Sequence, residues 1–195
     1  GVEIINGIDQ NFYDGGRTFL IGFPVDEHVA NRVLARSGAV VLHAASVLDG
    51  DDAIVFAGHS GAGKSTISRI AEDAGARVLS DDRTILTVGD DGAVRAHGTP
   101  WHGSLRRGAA GSAPVRAIYL LSQAHEDRAE LVAEPAALSE LYVRVIQPSV
   151  DATEVGNVLD ALVRVVARSR VARLYFRPQP SAFAVARRDL GVHRH

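Results

Sequence analysis

Cysteine and methionine are both absent from the 195 residues, which excludes disulfides, thiolate nucleophiles and cysteine metal sites. Aromatic residues make up only 6% of the chain, with a single tryptophan, Trp101. No apolar run approaches the roughly 18 residues that a membrane-spanning helix needs, and no charged-then-apolar leader opens the chain. Charge of one sign is also lacking: a net charge of -2 gives no broad basic footprint, so neither nucleic acid nor an anionic membrane is an expected partner. The arginines between 164 and 188 alternate with apolar residues, as solvated helix and strand faces do. A cytoplasmic location follows as the expectation. Because the chain starts at Gly1 without any Met, its natural start is expected upstream, with some N-terminal structure trimmed.

What remains is an apolar fraction of 46%, enough for one domain over residues 1–195 with a real core. Residues 17–23 (RTFLIGF) read as a strand, and 24–38 as a helix opened by Pro24 and stopped by Gly38. Two apolar runs, 39–48 and 53–57, are joined by the turn signal DGDD. A helix over 64–74 carries Ile67, Ile70, Ala71 and Ala74 at helical spacing. A short strand then ends at Asp81-Asp82, and a hairpin over 84–98 turns at Asp91-Gly92. The stretch 98–112, rich in Gly, Ser and Arg, has no period and reads as a long loop of the kind that often carries function. A strand at 115–121, helices at 135–146 and 152–168, a strand at 171–176 and a helix at 181–188 complete the chain.

The stretch GHSGAGKST, residues 58–66, fits G-x-x-x-x-G-K-[ST] between an apolar strand and an amphipathic helix, which is the context the motif demands. Its residues Gly58, His59, Ser60, Gly61, Ala62, Gly63, Lys64, Ser65 and Thr66 form the expected nucleotide cradle. Glycines let backbone N–H groups converge on an anion, Lys64 reaches the outer phosphates, and Ser65 offers its hydroxyl to Mg²⁺. The plainer alternative is a glycine-rich turn that happens to carry Lys-Ser. The acidic pair Asp81-Asp82 follows early, with Asp82 only 24 residues beyond Gly58. On its own, such a pair is equally a turn or a helix cap. His43 lies 15 residues before Gly58 on the strand that feeds the loop, and spacing alone leaves it between a packed core residue and a site residue.

The combination of LHAASV, GHSGAGKST and LSDD resembles the HPr kinase/phosphorylase-like group, which shares its nucleotide-binding core with phosphoenolpyruvate carboxykinase. The resemblance spans about residues 39–122, with a weaker echo in VARLYFRPQPSA. It implies an α/β fold with a mixed central β-sheet around a P-loop, and site roles for His43, Lys64, Ser65, Asp81 and Asp82. Asp82 with Ser65 would hold Mg²⁺, whose shell of oxygens suits both. Asp81 would be the general base, and Lys64 and His43 would complete the catalytic set. The downstream Arg-Gly signature and basic C-terminal segment of the true HPr kinases are missing, which points away from HPr as acceptor. HGTPWHG (97–103) instead is similar to a motif of uncharacterised HPr-kinase-like proteins and of kinases acting on peptide precursors. In that loop Trp101 and His102 would shape the acceptor pocket, and Arg106 or Arg107 would meet the transferring phosphate. The alternatives there are an anchoring Trp101 and solvated arginines.

The expectation is therefore a Mg²⁺-dependent kinase of the serine kinase type. It would pass a phosphate from ATP or another nucleoside phosphate to a serine of a protein or peptide. Alternatives are a small-molecule kinase acting on serine or a sugar, and a non-catalytic nucleotide-binding or sensing module. A homo-oligomer stays open.

Overall fold

The structure is a computed structural model that describes residues 24–147 and 151–191. The strand expected over 17–23 lies outside the described residues. Helix α1 (Val25–Arg36) follows Pro24, with Asp26 and Glu27 in its first turn, where the helix dipole favours acids. Strands β1 (Val40–Asp49) and β2 (Asp52–Ala57) form an antiparallel hairpin in which Asp49 faces Asp52, so the DGDD turn falls where its composition puts it. Helix α2 (Lys64–Asp73) starts directly after the glycine-rich loop. Next come β3 (Arg77–Ser80), β4 (Arg83–Val88), β5 (Val94–His97) and β6 (Ser112–Gln123). The rest is β7 (Arg128–Leu131), α3 (Glu134–Tyr142), α4 (Ala152–Arg168), β8 (Val171–Phe176) and α5 (Ser181–Gly191).

The fold is mixed α/β, as expected. Parallel pairing of β2 with β6 and of β6 with β8 combines with antiparallel pairing elsewhere. Because β2 pairs with both β1 and β6, strands β2, β1, β4, β5 and β6 form a closed circuit of hydrogen-bonded neighbours. Both faces of the central strands are buried, so apolar residues run continuously and alternate between two cores. From β2, Ala53, Val55 and Ala57 join Leu141, Leu162 and Val165 of α3 and α4, while Ile54 and Phe56 join Ile67 of α2 and Phe183 of α5. A third cluster sets Leu34 of α1 and Val41 and Ile85 against Trp101.

Three expectations shift. Strand β7 was not expected: RAEL is a four-residue edge strand with no β-branched or aromatic residue to mark it. Strand β6 begins at Ser112 rather than 115, and its Pro114 is tolerated because that end pairs with β5 along one side. Helix α3 stops at Tyr142 instead of 146, because residues 143–146 leave the helix to run beside β1. There the Ile146 amide donates to the Val41 carbonyl at 2.9 Å and the His43 amide to the Arg144 carbonyl at 2.8 Å. That departure brings a new residue to the site.

Candidate functional site

The glycine-rich loop rises from the end of β2 and closes at Gly63, which has φ +104° and sits under Phe176, where an added Cβ would come within 2.5 Å of Cζ. Only glycine meets both demands without strain. Helix α2 then begins with no side-chain cap and no acid in its first turn. Its unpaired amides and dipole therefore make a positive end open to an anion. Lys64 is buried, at 7% exposure. Its ammonium donates to the carbonyls of Gly58 at 3.0 Å and His59 at 3.2 Å. Burial pushes its pKa from 10.5 down to about 8, with Arg83 and Arg144 adding repulsion.

His43 stands opposite Arg83 in the β1–β4 register. Its Nε2 lies 3.0 Å from Asp82 Oδ1. Burial, then the charges of Lys64, Arg83 and Arg144, lower its pKa to about 4, so the ring is neutral at pH 7. A neutral ring facing a carboxylate acceptor carries its proton on Nε2. The other oxygen of Asp82 pairs with the Arg83 guanidinium, which also donates to Glu27 at 2.8 Å.

Asp81 faces the opposite way. Its side chain is fully buried and accepts from the amides of Gly103 at 2.8 Å and Leu105 at 3.0 Å, with His102 Nδ1 3.9 Å off. The two adjacent acids thus take different partners, Asp81 the amides of the loop after β5 and Asp82 the side chains of His43 and Arg83, while both lie against Gly103. Across the same loop, the Ser104 hydroxyl meets that of Ser65 at 2.9 Å.

Beside the glycine-rich loop opens a cavity of about 520 Å³, walled by His59 and Ser60 from the loop, His43, and the guanidinium groups of Arg83 and Arg144. His43, His59 and Ser60 were expected at a site and meet there. The expected substrate loop is arranged differently. Trp101 packs in the third apolar cluster, which fits its anchoring alternative. His102 bonds the Arg107 carbonyl at 3.3 Å, Arg107 reaches Glu72 on α2 at 3.9 Å, and Arg106 is exposed. None of these four borders the cavity. Sequence reasoning missed Arg83, Glu27 and Arg144. The first follows directly on Asp82, a readable signal, whereas Arg144 sits in a stretch that scans as helix and only the fold brings it to the site.

A family model described as SynChlorMet cassette protein ScmC matches residues 25–156. The chain belongs to the ScmC family. The glycine-rich loop, His43, the acidic pair, Trp101 and Arg144 all fall inside the ScmC match. The family matched is thus ScmC, not the HPr kinase/phosphorylase group that the motifs resemble. Among solved structures, the Hpr(Ser) kinase/phosphatase from Coxiella burnetii is similar at a TM-score of 0.43 and 13% identity, over 78% of this chain and 97% of that one. This is a distant likeness in fold. None of the curated proteins matches the chain. Among the described residues of this ScmC member, no helix is long and apolar enough to cross a membrane.

Proposed function

We propose that the chain is a Mg²⁺-dependent kinase that transfers the terminal phosphoryl group of a nucleotide, ATP as the working donor, to the hydroxyl of a serine in a protein or peptide. The observation that supports it is Lys64. A buried ammonium, met among the described residues by two carbonyls at the positive start of an uncapped helix, is costly unless an anion completes its surroundings. A polyphosphate laid along residues 58–66 would do so, and the cavity at the loop's edge would admit the acceptor.

Ser65 and Asp82 both supply oxygen, the ligand Mg²⁺ prefers, though Asp82 would have to give up His43 or Arg83, which hold its two oxygens, to ligate the cation. Among the described residues no group of three or more His, Asp or Glu could hold a metal by itself. Phosphate oxygens and water would therefore complete the shell. When bound, the cation would neutralise charge on the phosphates. In the transfer the acceptor oxygen bonds to the terminal phosphorus, the bond to the bridging oxygen breaks, and the hydroxyl proton passes to Asp81. That role requires residues 103–105 to release the Asp81 carboxylate. Its present engagement by two amides favours a second reading, a nucleotide-sensing module in which Asp81 only anchors the loop.

Incubation with γ-labelled ATP, Mg²⁺ and serine-bearing peptides separates the readings. Label in peptide, lost in Lys64→Ala, is the expected result. ATP binding without transfer to any acceptor supports the sensor, and no ATP binding overturns both.

A further inference from the structure

Among the described residues, the cavity beside the glycine-rich loop is lined by one cation that no carboxylate fully pairs. Arg83 is satisfied by Glu27 and Asp82. Arg144 is not. Its guanidinium donates to the Glu140 carbonyl, but its nearest carboxylate oxygen, Glu140 Oε2, is 3.9 Å away. The other oxygen of Glu140 is taken by Arg173, so one negative charge serves two guanidinium groups. The Arg144 side chain is only 13% exposed, and its Nε is buried without a hydrogen-bond partner among the described residues. A shielded cation with half a counter-ion attracts an anion strongly, because little water screens it.

The place of this surplus charge is fixed by the backbone. Val145 bridges Leu42 and turns into the core, so its neighbours Arg144 and Ile146 face the other way, toward the side of β1 that carries Val41 and His43. Lys64, which addresses the outer phosphates on the reading above, donates to the carbonyl of His59, and His59 walls the cavity. The cavity therefore lies at the terminal-phosphate end of the loop, where an acceptor rather than a nucleoside base belongs. Beside Glu27 and the two guanidinium groups, its lining includes the apolar Val143, which is 77% exposed, and Ile146. Apolar side chains beside guanidinium groups suit an extended peptide better than a small polar molecule.

Resting on the phosphotransfer reading, we propose that the acceptor is an acidic peptide segment whose serine has a carboxylate side chain as neighbour, and that Arg144 is the residue that selects it. The neighbour's carboxylate would complete the half-filled ion pair of Arg144. Apolar residues on either side of it would lie along Val143 and Ile146.

The test uses the full chain with Mg²⁺ and a non-hydrolysable ATP analogue, and two fluorescent peptides identical except for Glu or Lys next to a single Ser. Anisotropy is expected to show the Glu peptide binding roughly tenfold or more tighter, the worth of one charge-assisted contact. Arg144→Glu should reverse the order and Arg144→Lys should keep it. Equal binding of both peptides to the native chain overturns the proposal. So does an Arg144→Glu variant that weakens both alike, since that places Arg144 on the transferring phosphate instead. Loss of the analogue itself, measured separately on the native chain, removes the phosphotransfer reading and is told apart by needing no peptide.

Discussion

Lys64 gives the sharpest test of the anion site, because its lowered pKa ties stability, pH and ligand binding to one atom. A fall from 10.5 to about 8 corresponds to about 3 kcal/mol, at about 1.4 kcal/mol per tenfold change in proton affinity. The unfolded chain keeps this proton up to the ordinary lysine range, whereas the folded chain releases it near pH 8. Between those values the unfolded state binds more protons, so stability rises with pH across the window. Below about pH 8 both states are charged and the penalty is present in full. Urea unfolding of the native chain and Lys64→Met at pH 7 and pH 10 isolates the effect, since other groups cancel in the difference. The native chain should gain up to about 3 kcal/mol on the variant over that range.

An anion that completes the surroundings of Lys64 restores its proton. Titration of MgATP at pH 9, in two buffers of different ionisation heat, should therefore show uptake approaching one proton. Parallel stability curves for the native chain and Lys64→Met would refute the buried, unpaired charge. Binding without proton uptake would refute its role as the anion's partner.

Two further substitutions address the loop and its strap. Asp81→Asn sets an amide group against the N–H of Gly103 or Leu105, so hydrogen exchange at those two amides should quicken roughly tenfold or more; if Asp81 also takes the acceptor's proton, turnover falls by roughly 10² to 10⁴. Unchanged protection at 103 and 105 would deny the anchor. Gly63→Ala adds about 1–2 kcal/mol of left-handed strain and about 1–3 kcal/mol of overpacking against Phe176, visible as a lower melting temperature. Phe176→Leu in the same chain should recover part of the loss, and no recovery would place the whole cost in the backbone.

Local signals were legible where one residue type answers one demand. Pro24, the DGDD turn, the spacing of Ile67 and Ala71, and the strand-loop-helix context of residues 58–66 all lead to elements seen in the structure. Strand β7 was hidden because its four residues include no β-branched or aromatic side chain. The stop of α3 was hidden because its cause is tertiary: residues 143–146 trade helical bonds for bonds to β1. Arg144 was lost with it. Trp101 shows the reverse. Its loop carries no periodic pattern, yet the ring belongs to a core cluster that α1, β1 and β4 complete.

The acidic pair shows why residue type and spacing reach a site but not its wiring. Asp81 and Asp82 are adjacent in the bend between β3 and β4, yet their carboxylates take different partners. One carboxylate closes the loop at 103–105 while the other reaches His43 across the sheet. The same loop carries Ser104, which holds the Ser65 hydroxyl that a cation at the phosphates would need. On the kinase reading, Ser65 would offer its hydroxyl to Mg²⁺ in place of Ser104, and Ser104 would then lose its partner in the segment that covers Asp81.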